Sequence, residues 1–148
     1  MKKQEQINEF FNSKNFAISG VSRDKSKFGH MVYKTFAEQG KTVLPINPSI
    51  ENIDGVKVFS SINNLPIEVD AIVIINNRNR SQEIINQAIA KGIKNIWIQQ
   101  NCEPVGFKAS SVNGNHNIIT GECIFMWLEP VKGFHKFHRF LKTFFSRN

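Results

Sequence analysis

The fold is decided by residues 15–48, which read NFAISGVSRDKSKFGHMVYKTFAEQGKTVLPINP. The apolar run at residues 16–19 stops at Gly20, which predicts a buried strand followed by a tight turn. Large side chains then recur at helical spacing, at Phe28, Met31, Val32 and Phe36. Gly40 marks the end of this helix, and residues 42–46 predict a second strand. A strand, a helix and a strand in this order predict a βαβ unit with parallel strands.

The same alternation continues along the rest of the chain. Residues 70–75, DAIVII, form a continuous apolar run that is typical of a parallel strand buried on both faces. Ser81 is the predicted cap of a helix that continues through Lys91. Residues 94–100 and 116–120 predict two further strands.

The segments between these units have weaker patterns. Residues 52–59 predict a turn and a short strand, which would be the third strand along the chain. Residues 60–66 predict a brief helix capped by Ser60 or Ser61, and residues 103–115 predict a short irregular helix.

These elements predict one doubly wound, Rossmann-like α/β domain over residues 1–148. We expect a mostly parallel sheet of five to six strands, in an order near 3-2-1-4-5, with helices on both faces. Residues 1–14 and 131–146 predict amphipathic N-terminal and C-terminal helices. In such a fold the ligand lies beyond the carboxyl ends of the first and fourth strands, where the strand order reverses.

Composition narrows the choice of partner. The 148 residues are 41% hydrophobic and carry a net charge of +7, which favours a nucleic acid, a membrane surface or a phosphorylated small molecule. No apolar run approaches the ~20 residues of a membrane helix, and the N-terminus does not resemble a secretory signal. Two cysteines without metal-binding or disulfide-framework spacing predict a reducing, cytoplasmic setting and no metal site.

The loop after the first strand has the chemistry of an anion site. Ser22 is small and offers a hydroxyl, and residues 23–27, here called the basic loop, contribute Arg23, Lys25 and Lys27. The helix that follows directs its unpaired N–H groups to the same place. A surface loop without a ligand is the alternative interpretation of these charges.

The loop after the second strand argues against NAD. NAD-binding units commonly place an acidic side chain here, whereas this chain has the uncharged Asn47 followed by Pro48. An asparagine does not repel a phosphate on the ribose. NADP and the 3′-phosphorylated ADP of coenzyme A both carry such a phosphate. Alternatively, Asn47 and Pro48 could serve only as a turn.

Two further loops would complete the site. Residues 76–80, NNRNR, offer amides together with Arg78 and Arg80, which can contact phosphate. Gln99, Gln100 and Asn101 offer neutral donors and acceptors, which suit binding better than acid–base chemistry.

Several of these segments together resemble a known family. GVSRDKSKFG, VLPINP, IDGVKVFSSINNLP, VDAIVI and NIWIQQ are similar in order and spacing to the small stand-alone CoA-binding domain proteins. The fold is also similar to the CoA-binding domain of the succinyl-CoA synthetase α subunit. The resemblance covers roughly residues 13–128 and implies that the chain binds coenzyme A, or an acyl-CoA, through its phosphorylated ADP moiety.

The resemblance also implies roles for particular residues. A phosphate side, a nucleotide side and an outer end toward the pantetheine are expected. The implied ligand-binding residues are Gly20, Ser22, Arg23, Lys27, Phe28 and Gly29 after the first strand, Asn47, Pro48 and Ser49 after the second, Asn76, Asn77 and Arg78 after DAIVII, and Gln99 near the pantetheine exit. The chain departs from many relatives in NNRNRS and in QQNCEPVG, where Gln100 and Asn101 replace a common glycine.

We predict binding without intrinsic catalysis. Related acyl-CoA synthetases need a phosphorylated histidine and a nucleotide-grasping domain, and no histidine here lies in a matching motif. A homodimer or a separately encoded protein partner remains open. The main alternative is an NADP-dependent oxidoreductase or NAD(P)-sensing regulator, although the only tyrosine, Tyr33, falls inside the first βαβ helix. A nucleic-acid-binding protein is a third and less favoured interpretation.

Overall fold

The computed structural model describes residues 2–128. The predicted C-terminal helix at residues 131–146 therefore lies outside the described residues. The α-helices are α1 (Lys3–Phe11), α2 (Phe28–Glu38) and α3 (Arg78–Ala90). The strands are β1 (Asn15–Ser19), β2 (Thr42–Ile46), β3 (Asn52–Ile53), β4 (Val56–Lys57), β5 (Ala71–Ile74), β6 (Asn95–Gln99) and β7 (Asn117–Glu122). Short 3₁₀ turns occupy Ile62–Asn64, Ala109–Ser111 and Ile124–Met126.

Five strands form one parallel sheet in the order β2-β1-β5-β6-β7. Phe16 in β1 is paired with Val43 of β2 on one side and with Ala71 of β5 on the other. The central strands are buried along their whole length, as the continuous apolar run DAIVII predicts. The predicted doubly wound α/β fold is thus confirmed.

Helices cover both faces of the sheet because alternate strand residues point to opposite sides. One face packs against α1 and α2, with Phe16, Val73 and Trp97 among its buried residues. The opposite face packs against α3 and the first 3₁₀ turn, with Ile72 and Ile96 among its buried residues. Each of the two helical layers therefore has its own apolar core.

Aromatic contacts pack α1 against the sheet face that it shares with α2. The ring centroid of Phe10 lies 5.2 Å from that of Trp97 and 5.6 Å from that of Phe16, both in edge-to-face arrangements. Phe16 in turn contacts Phe36 of α2 at 5.2 Å. Each such pair stabilises the fold by about 0.5–1.5 kcal/mol beyond the contribution of the buried surface area. Helix α1 is therefore part of the core.

The third predicted strand does not enter the main sheet as a full strand. Residues 52–57 form a two-residue antiparallel hairpin of β3 and β4 instead. Only Phe59 reaches the sheet, where it makes an isolated parallel bridge with Ile46 at the end of β2. Asp54 and Gly55 turn the hairpin with positive φ values of 50° and 82°, which prevents a continuous strand.

One predicted cap is wrong, and another is right in position but lacks the capping bond. Helix α3 begins at Arg78 and its N-cap is Asn77, whose side chain accepts a hydrogen bond from the Arg80 amide. Ser81 lies buried inside the helix, where its hydroxyl donates to the carbonyl oxygens of Asn76 and Asn77. Ser61 holds the N-cap position of the first 3₁₀ turn but makes no capping bond with its side chain. Asparagine is as good a cap as serine, so local sequence does not choose between them.

The described helices are all too short or too polar to serve as transmembrane segments.

Candidate functional site

The topology creates a crevice between the carboxyl ends of β1 and β5. These strands are neighbours, yet the helices that follow them, α2 and α3, pack on opposite faces of the sheet. The two connections therefore diverge and leave an opening between the loops, which is the usual ligand position in doubly wound folds. The predicted site residues lie in the loops after β1, β2 and β5 and, for Gln99, at the last position of β6, and these strands all end at this edge.

Gly20 and Gly29 allow neighbouring backbone segments to approach each other closely beside this opening. Gly20 has φ +94°, and a Cβ added there would lie 2.7 Å from the carbonyl oxygen of Ile75. A Cβ on Gly29, in the first turn of α2, would lie 2.3 Å from the carbonyl oxygen of Gly20. Both glycines are thus required by close packing between the loop after β1, the loop after β5 and α2.

The basic loop is held in shape by its own hydrogen bonds. The Asp24 carboxylate accepts from the Ser26 amide at 2.9 Å and from the Ser26 hydroxyl at 2.6 Å. The Ser22 hydroxyl oxygen accepts from the Asp24 amide at 3.1 Å. Hydrogen bonds from the Ser26 side chain and then its backbone lower the pKa of Asp24 below its ordinary value of 3.8. The loop therefore combines one ionised carboxylate with its three cations.

His30 anchors the beginning of this loop. Its ring is 4% exposed, and Nδ1 lies 2.8 Å from the carbonyl oxygen of Ser22. A carbonyl only accepts, so Nδ1 carries the proton and donates. The sequence analysis did not select His30, which lies eight residues after Ser22 in the first turn of α2.

The cations of the basic loop face solvent beside a helix terminus. Arg23, Lys25 and Lys27 are all exposed. Lys27 is the N-cap residue of α2 and supplies no side-chain acceptor to the first turn. The first helical turn leaves its amide groups without intrahelical acceptors, so positive partial charge and three positive side chains meet at one place.

Asn47 joins the loop after β2 to the loop after β1. Its side-chain nitrogen donates to the Val21 carbonyl oxygen at 2.6 Å, and its side-chain oxygen accepts from the Ser49 amide at 2.7 Å. The Asn47 amide therefore has a structural task that a carboxylate could not perform, because a carboxylate cannot donate to Val21. Pro48 and Ser49 are exposed beside it.

The loop after β5 contains one buried polar atom without a hydrogen-bond partner in the described chain. The side-chain oxygen of Asn76 is buried, and no residue of the described chain donates a hydrogen bond to it. A buried acceptor of this kind is costly unless a ligand or water satisfies it. Asn77 is occupied as the cap of α3, so Asn76 is the one of these two neighbouring asparagines whose carboxamide oxygen is buried and unpaired.

Arg78 spans the mouth between the loops after β5 and β6. Its Nε donates to the Asn101 carbonyl oxygen at 3.1 Å, where the Asn101 backbone has φ +69°. Arg78 remains exposed, so its terminal nitrogens can still meet an anion. Arg80 is exposed on α3.

Gln99, the last residue of β6, links two segments of the fold. It is 4% exposed, and its side-chain oxygen accepts from the Ile124 amide at 3.1 Å. The segment after β7 is thereby held against β6. Phe28 and Phe125 pack edge to face at 4.9 Å, which joins the same segment to the start of α2. Gln99 and Phe28 thus support the walls of the crevice.

Cys102 follows Gln99 in the same region but is not an activated thiol. Burial, and then the charge of Glu103, raise its pKa to about 11, and the nearby Arg78 only partly opposes this. The thiol is therefore protonated at neutral pH. Cys123 is buried, at 4% exposure.

Comparisons with known proteins identify the family to which the chain belongs. Residues 14–128 match the family described as the CoA binding domain. Over 93 residues the chain is 33% identical to the α subunit of an ADP-forming acetate–CoA ligase from Pyrococcus furiosus, a match that covers 62% of this chain and 20% of that subunit. The chain thus spans only about a fifth of the length of that relative.

Small solved proteins share the fold over nearly their whole length. A conserved hypothetical protein from Pyrococcus furiosus is 28% identical with a TM-score of 0.69, covering 75% of this chain and 96% of that protein. A hypothetical protein from Pyrococcus horikoshii has a TM-score of 0.74 at 21% identity, covering 95% of this chain and 93% of its own. The family match extends from the start of β1 to the segment that packs on α2, and the chain therefore belongs to the CoA-binding domain family.

Proposed function

We propose that this protein binds coenzyme A, or an acyl-CoA, through its 3′,5′-phosphorylated ADP moiety in the crevice between β1 and β5. The observation that carries this proposal is the ordered basic loop beside the start of α2, at the reversal point of a CoA-binding-domain fold. An exposed cluster of cations next to unpaired helix amides is a strong attractor for a pyrophosphate.

The proposed phosphate side consists of Ser22, Arg23 and Lys27. The Ser22 hydroxyl uses its oxygen to accept from Asp24, so its proton can still be donated to a phosphate oxygen. The two cations are exposed, and the bonds within the loop limit the entropy lost when a ligand orders it.

The proposed nucleotide side consists of Asn47, Pro48, Ser49 and Asn76. The Asn47 link to Val21 fixes the loop after β2 without introducing a negative charge near the ribose. The buried side-chain oxygen of Asn76 can accept from a hydroxyl or an amine of the ligand, which would satisfy it. Arg78, beside this loop, supplies another cation at the mouth.

Binding rather than catalysis is the proposed role of this chain. The Asp24 carboxylate and the His30 ring beside the basic loop are engaged in hydrogen bonds that shape the loop, and the nearby thiol of Cys102 is held protonated by its pKa of about 11. Any chemistry on the bound acyl group would then belong to a separate protein partner. The related acetate–CoA ligase subunit is five times longer than the matched region, which is consistent with such a division of labour.

Isothermal titration with coenzyme A, dephospho-CoA, NADP and NAD tests the proposal. We expect coenzyme A to bind most tightly, and dephospho-CoA about tenfold more weakly because one charged contact is lost. Arg23→Ala and Lys27→Ala should each weaken coenzyme A by about threefold or more while leaving the melting temperature nearly unchanged, since both side chains are exposed. Lys91→Ala, at the far end of α3, is the matched control.

The outcome distinguishes the competing functions. Tight binding of NADP with weak binding of coenzyme A would support the oxidoreductase or regulator alternative. Equal affinity for all four compounds, or no binding of coenzyme A, would contradict the proposed function.

A further inference from the structure

A second recess lies beside the proposed nucleotide loop, on the outer edge of the sheet. This groove encloses about 740 Å³ next to the end of β2. Its volume is within the usual range for small-molecule sites, about 300–1,000 Å³. Six residues of its lining matter to the argument: Pro48, Ser49, Glu51, Lys57, Phe59 and Ser60.

The groove is structurally continuous with the loop after β2. The Phe59 amide donates to the Pro45 carbonyl oxygen, and the Asn47 amide donates to the Phe59 carbonyl oxygen, both at 2.9 Å. The Val58 amide donates to the Glu51 carbonyl oxygen at 2.9 Å and closes the other wall. A ligand that lies against Asn47 and Pro48 can therefore extend into the groove without leaving the surface.

Lys57 places a positive charge in this groove. Its Nζ lies 5.4 Å from the centroid of the Phe59 ring, which gives the ammonium a preferred position by a cation–π contact. Lys57 is the only cation of the groove lining, and Glu51 is the only anion. The loop residues Asn47, Pro48 and Ser49 carry no charge of their own.

A 3′,5′-phosphorylated ADP has two separated anionic ends. The basic loop lies after β1 and can neutralise the pyrophosphate, but the groove lies on the far side of β2, which is the edge strand. We propose that the groove receives the adenosine end of the ligand and that Lys57 binds its 3′-phosphate. Lys57 is then the residue that distinguishes coenzyme A from dephospho-CoA, an inference that rests on the proposed function.

Titration of Lys57 variants with both compounds tests this assignment. Lys57→Met keeps the aliphatic stem over Phe59 but removes the charge, so coenzyme A should bind about tenfold more weakly. Dephospho-CoA should bind Lys57→Met within about twofold of the wild type, since it has no phosphate for Lys57 to contact. Lys57→Arg should retain most of the preference for coenzyme A, since it keeps the charge.

Lys91→Met is the control for the loss of a lysine in general. Lys91 lies at the opposite end of the sheet, in a separate groove of about 660 Å³ with Lys14 and Lys94. This variant should leave both affinities unchanged. Thermal unfolding of each variant would show that exposed Lys57 can be replaced without loss of the fold.

The results separate this inference from the proposed function. A wild-type protein that prefers coenzyme A, together with a Lys57→Met variant that keeps the same preference, would overturn only the assignment of Lys57. Equal weakening of both compounds by Lys57→Met would also overturn it, because Lys57 would then act on a shared part of the ligand. A wild-type protein that does not bind coenzyme A would overturn both.

Discussion

The side-chain nitrogen of Asn47 donates a hydrogen bond to the Val21 carbonyl oxygen at 2.6 Å. This bond connects the turn after β2 to the segment that leads into the basic loop. Together with the bond from the Gly20 amide to the Ile46 carbonyl oxygen, it holds the two proposed halves of the binding site, for nucleotide and for phosphate, in register.

Replacement of Asn47 by aspartate should damage both stability and binding. The carboxylate would face the Val21 carbonyl without a proton to donate, which should cost about 1–3 kcal/mol of the free energy of unfolding. Its negative charge would also repel a phosphate on the ribose, so the affinity for coenzyme A should fall further than for Asn47→Ala. Urea denaturation and calorimetric titration measure the two effects.

Asn63→Asp introduces the same change on an exposed residue of the first 3₁₀ turn and should leave both quantities nearly unchanged. If Asn47→Asp bound coenzyme A as tightly as Asn47→Ala, the charge-based account of this loop would be wrong.

Gly29→Ala should destabilise the protein, although glycine to alanine within a helix usually stabilises by about 1 kcal/mol. The new Cβ would lie 2.3 Å from the Gly20 carbonyl oxygen, so β1 or α2 must shift. We expect a loss of about 1–3 kcal/mol in the free energy of unfolding, measured by chemical denaturation. Glu38→Ala, at the exposed end of the same helix, is the comparison. A higher melting temperature for Gly29→Ala would refute the close approach.

Ser26→Ala should raise the pKa of the Asp24 carboxyl toward its ordinary value of 3.8. The Ser26 hydroxyl bond is the largest cause of the lowered pKa, and the Ser26 amide bond remains after the change. An NMR titration of the carboxyl carbon measures this directly. Ser49→Ala, which changes a serine of the loop after β2, should leave the Asp24 titration as it is.

The pH dependence of the loop's stability follows from the lowered pKa of Asp24. Because the folded pKa of Asp24 is lower than the unfolded one, its hydrogen bonds stabilise the folded loop above pH 3.8. That stabilisation is lost as the pH falls through the folded pKa. A titration midpoint of Asp24 above 3.8 in the wild type would contradict this account.

Alkylation of Cys102 should be slow at neutral pH and should accelerate as the pH approaches its thiol pKa of about 11. Burial disfavours the thiolate, which is the reactive form. Mass spectrometry of the peptide that contains Cys102, after timed exposure to iodoacetamide, gives the rate. The urea-unfolded protein is the control and should react as an ordinary cysteine does. Equal rates for the folded and unfolded protein at pH 7 would show that the thiol is not protected.

Several features of the site could be anticipated only as residue types. The sequence identified Asn47 as an uncharged residue at a position where an acid is common. Its importance depends on its hydrogen bond to Val21, and Val21 is 26 residues away along the chain. Gln99 was recognised as a neutral polar residue at a strand end. Its partner is the Ile124 amide, beyond the next strand, so its supporting role depends on tertiary packing.

The sequence by itself determined the parallel strands, the two helical layers and the edge of the sheet at which the predicted site residues meet. Apolar periodicity and strand-ending glycines are local signals, and a buried run such as DAIVII can satisfy its backbone only inside a sheet. The order of the alternating elements then fixed the direction of the crossovers.

Only the tertiary structure decided which residues support the site and which remain for a ligand. Asn77 rather than Ser81 caps α3, and the predicted third strand contributes only Phe59 to the sheet. Gly29, in the first turn of α2, lies close to Gly20 in the loop after β1. Each outcome depends on contacts between segments distant in sequence, whose packing and hydrogen bonds outweigh local propensities that differ by a fraction of a kcal/mol.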